Sequence, residues 1–326
     1  MTGLRDFLAI YYGIQAYEKT VWHGMEGFKD ANYVYFTISA EQKEVIHMEQ
    51  AALAYYLQEK GYSHMSIPVP NSRGEWYTKY HDSYHMVLRV NNTGPHKQSV
   101  HGEQLAAFHT AGSLYQYEPQ TISSYGQWKA LWIEKLTAFE ETIEMEANNH
   151  PNDYYGMLMD FLPYVIGISE NAIQYMQESE SEQRYHEADQ GTIVFRRYHN
   201  QLQDRLLWMN DLAYDHPTRD LAECIRLKLL QKDDPMNDIR TFLHDYQRVR
   251  PLSIFGWRLM YARLLYPIHV FDIIERGFSA DHYESVHSEL STIIDQQSVY
   301  EKRLGLFFEN AGIDCEELQI PVLHWL

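Results

Sequence analysis

RRYHNQLQDRLLWMNDLAYDHPTRD, residues 196–220, is the densest polar stretch of the chain, and the arrangement of everything else follows from how it is read. It starts at the end of a β-prone run, residues 192–198, and leads into a helix that the apolar spacing predicts over about 219–231. Loops rich in His, Asn, Asp and Arg just beyond a strand are common places for chemistry. Asp211, Asp215 and Asp220 offer oxygen ligands suited to a divalent cation, and His199 suits an acid, a base or a loop anchor. Helix capping is the plainer alternative: Asp215 caps the coming helix, Pro217 fits its first turn, and Asp220 and Glu223 complement its dipole. Capping by itself accounts for most of these residues.

Outward from this stretch the texture changes. Further helices are expected at about 236–248, 253–277 and 282–310 on one side, and at 100–115, 125–146 and 154–178 on the other. Leu105, Phe108, His109 and Gly112 share one face of the 100–115 helix, as Trp128, Trp132, Leu136, Phe139 and Ile143 do on the next. NNTGP, residues 91–95, consists of turn formers and is the linker candidate. Before it, YVYFTI at 33–38 reads as a strand, and 41–60 as a helix with Ile46, Leu53 and Leu57 on one face and Gly61 as its stop. IPVP at 67–70 is extended, and the runs 75–80 and 84–90 form a hairpin around His81, Asp82 and Ser83. The class is therefore α+β with two lobes: a β-rich N-lobe with one long helix, 1–92, and a large, mainly helical C-lobe, 93–326.

The 326 residues hold 45 acids against 27 Lys and Arg, a formal net charge of −18. That balance argues against a nucleic-acid or anionic-membrane partner, because both are held by clustered Lys and Arg. The 26 tyrosines suit half-buried positions, where the ring packs and the hydroxyl stays wet. Cys224 and Cys315 are far apart and form neither a disulfide framework nor a thiolate metal site. No targeting segment or membrane span is read, so the expectation is synthesis and retention on the cytoplasmic side without membrane insertion.

Phosphate-binding signatures are missing: there is no GxxxxGK and no GxGxxG. Gly24-Met25-Glu26-Gly27 reads as an ordinary hairpin turn before it reads as a phosphate cover. His81 and His85 lack an acidic or Cys partner and are taken as structural or solvated. Glu49 lies on or beside the buried face of the 41–60 helix; an edge position reaching solvent is favoured over a buried, partnered carboxylate.

The phrase Tyr214-Asp215-His216-Pro217-Thr218-Arg219-Asp220-Leu221-Ala222-Glu223 resembles the YDHPxRDLAE signature of the spore coat-associated YutH and CotS group. That group lies within the aminoglycoside phosphotransferase and choline kinase branch of the protein-kinase-like fold. The strand at 33–38, the helix with Glu49, IPVP, the hairpin and Leu105-Ala106-Ala107-Phe108-His109 fall in the same order, so the resemblance spans nearly the whole chain.

The resemblance implies a two-lobed kinase-like fold with eroded chemistry. The strand Lys that holds nucleotide phosphates and pairs with the helix Glu corresponds to Phe36. The catalytic loop HGDxxxxN corresponds to residues 199–205, so Gln201 stands for the base and Arg205 for the metal-binding Asn. Gln cannot take a proton near neutral pH, and Arg repels magnesium. Asp211 matches the metal-binding Asp, Asp204 is a displaced alternative base, and Glu49, His199 and Asp220 match retained or architectural positions. The implied protein is a degenerate, pseudokinase-type structural or interaction component assembled on the spore coat, with other coat proteins as partners and no cofactor. Two alternatives stay open: an ATP- and magnesium-dependent phosphotransferase acting on a small hydroxylated or amino compound, and a small-molecule-binding sensor.

Overall fold

The computed structural model describes residues 3–92, 100–231, 234–279 and 283–323. The chain divides into two compact units, Met1–Ser123 with Thr192–Asp215, and Ser124–Gly191 with His216–Leu326. The unit that carries the sheet is thus wider than the 1–92 lobe suggested by texture. Of the linker candidate, Asn91 ends a strand, and residues 93–95 lie outside the described residues.

The first unit opens with helix α1 (Leu4–Tyr12), which the periodicity had not disclosed, and continues through strands β1 (Glu18–Trp22), β2 (Met25–Lys29) and β3 (Tyr33–Ser39). Helix α2 (Glu44–Glu59), strands β4 (Ile67–Val69), β5 (Thr78–Tyr80) and β6 (Ser83–Asn91), and helix α3 (His101–Ser113) follow. The antiparallel sheet runs β1-β2-β3-β6-β4, with β5 also on β6. IPVP supplies β4, and His81, at φ 54°, turns β5 into β6 as the hairpin reading requires. Phe7 and Leu8 of α1 pack on Tyr35 and Val87 of the sheet, which is why so short a helix holds there.

Strands β7 (Thr192–Phe195) and β8 (Leu212–Asp215) pair antiparallel and return to the same unit. Leu105, Phe108, His109 and Gly112 of α3 are all buried. Gly112 is required there because a Cβ would stand 2.5 Å from Thr192 Oγ1 and 2.8 Å from the Ile193 backbone nitrogen. A glycine on an otherwise apolar face thus marks the close approach of α3 to β7.

The second unit is helical: α4 (Trp128–Asn149), α5 (Asp153–Ser181), α6 (Thr218–Leu229), α7 (Met236–Val249), α8 (Ile254–Leu265), α9 (Ile268–Phe278), α10 (Glu284–Gly305), α11 (Phe307–Ala311) and α12 (Cys315–Leu318). The five expected core positions of α4 are its five buried residues. The single helix expected over 253–277 is two. Pro267 has no N–H to continue the ladder and pushes Tyr266 to ψ 121°, so α8 ends and α9 restarts after it. The helix expected over 282–310 is likewise divided, at Leu306, into α10 and α11. Among the described residues no helix is long and apolar enough to cross a membrane.

His269 in α9 gives this unit a pH dependence. Its Nε2 meets Gln297 Oε1 at 3.0 Å, its Nδ1 is buried, and burial together with the nearby Arg226 pushes the imidazole down to about 4, with Gln297 and Glu223 opposing. The folded state thus resists a proton that the unfolded chain accepts near 6.5. Stability contributed by neutral His269 is complete above about 6.5 and falls as pH drops toward about 4, on the order of 3 kcal/mol in total. Urea midpoints measured across that window should fall more steeply for the native chain than for His269→Gln, and parallel slopes would refute the assignment.

Candidate functional site

Strand β3 places Phe36 at its centre, and the turn between β1 and β2 lies over it. Trp22 pairs with Met25 across a two-residue turn, with His23 at φ 48° and Gly24 at φ 77°, so this is the ordinary hairpin turn of the first sequence reading. Phe36 is fully buried. Its ring lies 5.8 Å from that of Trp22 and 4.9 Å from that of Trp208. Gly27, paired with Phe36 across β2 and β3, has no room for a side chain, since a Cβ would meet the Phe36 ring at 2.5 Å. The Arg205 guanidinium closes the stack 4.0 Å from the Trp22 ring centroid. The space under the turn is therefore filled by an aromatic plug, Trp22, Phe36 and Trp208, with Arg205 on one face.

The loop between β7 and β8 is tied down at several points. Gln50 Nε2 of α2 donates to the carbonyls of Asn210 and Leu212, at 3.0 and 2.9 Å. Gln104 Nε2 of α3 donates to the Leu202 carbonyl at 2.8 Å, His101 meets the Tyr198 hydroxyl at 2.7 Å, and Leu207 exchanges backbone bonds with His64 and Ser66. Gln201 is buried, and both ends of its amide are used: Oε1 accepts from the His199 N–H at 2.7 Å, and Nε2 donates to the Arg197 carbonyl at 2.6 Å. His199 itself is exposed. Gln201 thus serves as a spacer inside its own loop.

Asp211, at the end of this loop, is half-buried, and burial raises its carboxyl above the usual range against the opposing charges of His199, Arg196 and His23. His23 Nδ1 accepts from Trp208 Nε1 at 3.1 Å, and its Nε2 stands 3.9 Å from an Asp204 carboxylate oxygen. The hairpin turn therefore brings His23 toward both candidate carboxylates, Asp204 and Asp211. Among the described residues no group of three or more His, Cys, Asp or Glu side chains is placed to hold a metal ion. Phe36 is thus enclosed by rings, and the Gln201 amide is committed to backbone.

Glu49 does not simply reach solvent. Its carboxylate accepts three successive backbone N–H groups, from Gln120 at 2.8 Å, Thr121 at 2.9 Å and Ile122 at 3.0 Å. Such a run of amides is an anion cradle, and the Glu49 carboxylate fills it. Glu49→Ala should lower stability by about 1–2 kcal/mol, with Glu49→Gln about half as costly, because the amide oxygen still accepts. Urea midpoints and the rate of proteolysis near 118–123 check this; equal midpoints for the native chain and Glu49→Ala would remove the cradle's importance.

A family model described as "Spore coat putative kinase YutH" matches residues 5–307. The endospore coat-associated protein YutH of Bacillus subtilis (strain 168) is 30% identical over 324 residues, covering 97% of this chain and 96% of that one. The chain belongs to the YutH family. Among solved structures it is similar to an aminoglycoside phosphotransferase from Alicyclobacillus acidocaldarius, at TM-score 0.64 and 14% identity, with 92% of this chain and 94% of that one covered. It is also similar to the AMP-bound spectinomycin phosphotransferase, at TM-score 0.60 and 11% identity over 91% and 96% of the chains. The amicoumacin kinase follows, at 0.57 and 14% over 96% and 95%. At such identities the likeness establishes the fold, which is kinase-like.

In this YutH-family chain the signature phrase begins at the end of β8 in the first unit and, from His216 on, is an anchor within the second unit. The N-cap position of α6 is Pro217, and the Thr218 N–H goes to His216 Nδ1, one residue beyond the Asp215 expected to cap it; Asp215 is the buried last residue of β8. His216 Nε2 reaches Asp189 Oδ1 at 3.2 Å, and its Nδ1 meets Thr218 Oγ1 at 2.7 Å. The order Asp, His, Thr is that of a nucleophilic relay, yet Thr218 is fully buried and no substrate reaches it. Asp220 is buried in the first turn of α6, and Glu223 pairs with Arg263 and Arg226. His23, Gln50, Gln104, Trp208 and Asp189 are the site residues that sequence reasoning missed. Only the Trp-His-Gly-Met turn around His23 carried a usable local signal.

Proposed function

We propose that this YutH-family chain is a catalytically degenerate kinase-like protein that acts as a structural or interaction component of the spore coat, with other coat proteins as partners and without a nucleotide cofactor. The supporting observation is the plug: Phe36, where an active relative carries its phosphate-holding lysine, is packed between Trp22 and Trp208 against Gly27. The locked amide of Gln201 agrees with it, since a buried amide bonded at both ends neither accepts a proton nor moves to meet one. The coat assignment rests on the relative, whose description is endospore coat-associated. Isothermal titration with ATP and magnesium should give no saturable heat, and micromolar binding with substrate-dependent ATP turnover would overturn the proposal.

One observation favours a phosphotransferase instead: the half-buried Asp211 carboxyl beside His23 and His199 is the kind of perturbed acid that active sites use. On that reading Asp211→Asn abolishes turnover of a small hydroxylated or amino substrate. A measured turnover left unchanged by Asp211→Asn would eliminate it.

A further inference from the structure

A second concavity lies within the first unit and shares no residue with the plug or the 196–211 loop. It encloses about 430 Å³ between α1, the turn at 71–75 and the β5–β6 hairpin. That volume is in the range of small-molecule sites. Its walls are fixed from behind. Asn71 uses its whole amide, with Oδ1 accepting from the Arg73 and Glu75 N–H groups at 2.9 and 3.0 Å and Nδ2 donating to Glu75 Oε2 and Thr78 Oγ1 at 3.0 Å. Thr78 Oγ1 also meets the Tyr12 hydroxyl at 2.9 Å, and the Ser72 N–H donates to the Tyr11 carbonyl at 2.8 Å, which joins α1 to the turn.

The lining combines aromatic surface with cations. Lys79 and Tyr84 are direct cross-strand partners and so stand side by side on one face of the hairpin. Arg73 joins them from the turn, and neither Arg73 nor Lys79 makes an ion pair among the described residues. In a chain of net charge −18, two cations on one small cavity, neither of them in an ion pair among the described residues, are a local reversal of sign. Glu75 on the same lining leaves a net charge of about one positive, which suits a monoanion better than a polyanion. Tyr84 is 46% exposed and Ile10 65% exposed, so apolar surface opens directly onto the cavity, and the Tyr11 and Tyr84 hydroxyls have no hydrogen-bond partner among the described residues.

We propose that this cavity binds a small aromatic carboxylate, its anion held by Arg73 and Lys79 and its ring set against Tyr11 and Tyr84. The guanidinium fork matches a carboxylate bidentately, and the tyrosines supply both a ring face and a hydroxyl donor. The site is independent of the degenerate kinase reading, since it uses none of that reading's residues.

Saturation-transfer NMR titration of the full chain with 4-hydroxybenzoate, phenyl phosphate and inorganic phosphate tests it. The expected result is saturable binding of 4-hydroxybenzoate, weaker binding of phenyl phosphate, little of inorganic phosphate, and a loss of roughly tenfold or more in the Arg73→Ala/Lys79→Ala variant. Both residues are exposed, so the double variant should melt with the native chain; Arg73→Gln is a milder second variant expected to weaken binding by about threefold. No saturation of 4-hydroxybenzoate below ~10 mM would overturn the proposal. So would unchanged affinity in the double variant, or inorganic phosphate binding as well as the aromatic acid.

Discussion

Phe36→Ala is expected to destabilise the sheet-bearing unit by about 3–5 kcal/mol, the usual cost of deleting a buried aromatic ring together with the cavity it leaves. The site cannot collapse easily. Trp22 is held by the Arg205 guanidinium, Trp208 by its bond to His23, and the backbone at Gly27 is already in contact with the ring. Phe36→Lys, which under the proposed degenerate reading reinstates the residue type an active relative carries, is expected to be at least as costly. Its ammonium would stand among Trp22 and Trp208, and the glutamate that would pair with it, Glu49, is already bound to the amides of 120–122. Urea midpoints and ATP titration of both variants measure the effect. A Phe36→Lys protein as stable as the native chain and newly able to bind ATP with magnesium would mean that a single residue separates this chain from a nucleotide site, and the degenerate reading would fall.

Asp189→Ala should cost a similar amount, about 3–5 kcal/mol, by a different route. The carboxylate is buried and accepts from Ser253 Oγ at 2.6 Å and the His186 N–H at 2.7 Å, with His216 Nε2 at 3.2 Å. Its turn is also gripped through the backbone, by the Tyr125 hydroxyl on the Asp189 carbonyl and by Arg250 on the Ala188 carbonyl. Removing the carboxylate strands three donors in a buried place, with the rings of Trp128 and Phe255 set around His216. Asp189→Asn keeps an acceptor and should lose about half as much. Ser253→Ala should lose about 1 kcal/mol, chiefly the N-cap bond to the Gly256 N–H. His216 and Ser253 together hold the Asp189 carboxyl below the usual carboxylate range against the cost of burial. Its contribution is therefore present above the unfolded value near 3.8 and fades as pH falls through the lower folded value. The penalty of Asp189→Ala, read from urea midpoints, should be full near pH 7 and shrink toward pH 3; a penalty below about 1 kcal/mol at neutral pH would show that the anchor is dispensable.

The tyrosine excess belongs to the same account of buried polar contacts. Among the described residues only Tyr17, Tyr84, Tyr117 and Tyr185 are largely exposed, while Tyr154, Tyr155, Tyr198, Tyr246, Tyr261, Tyr266 and Tyr300 are among the largest fully buried side chains. Most of the excess is core or half-buried surface, and some of the buried hydroxyls find backbone acceptors, as Tyr266 does on Trp132 and Tyr300 on Leu264.

Helical faces were legible because side-chain spacing along a helix is a local property: Trp128 to Ile143 and Leu105 to Gly112 declare their buried sides within a few turns of chain. Strand β3, the β5–β6 hairpin, the stop at Gly61 and the YutH-family signature were local in the same sense, and they sufficed for the α+β class and the family. Among the elements that escaped, α1, β1, β2 and β8 are short, and each is held by what it packs or pairs with. The direction of Glu49, the rings around Phe36, the spacer role of Gln201 and the anchor on His216 were decided by tertiary structure. Their partners come from distant positions: Trp208 meets His23 across 185 residues, Glu49 meets Ile122 across 73, and His216 meets Asp189 across 27. Periodicity fixes which way a side chain faces on its own element, but the group it meets depends on which backbone the fold brings opposite, and a buried polar group takes whichever partner arrives there.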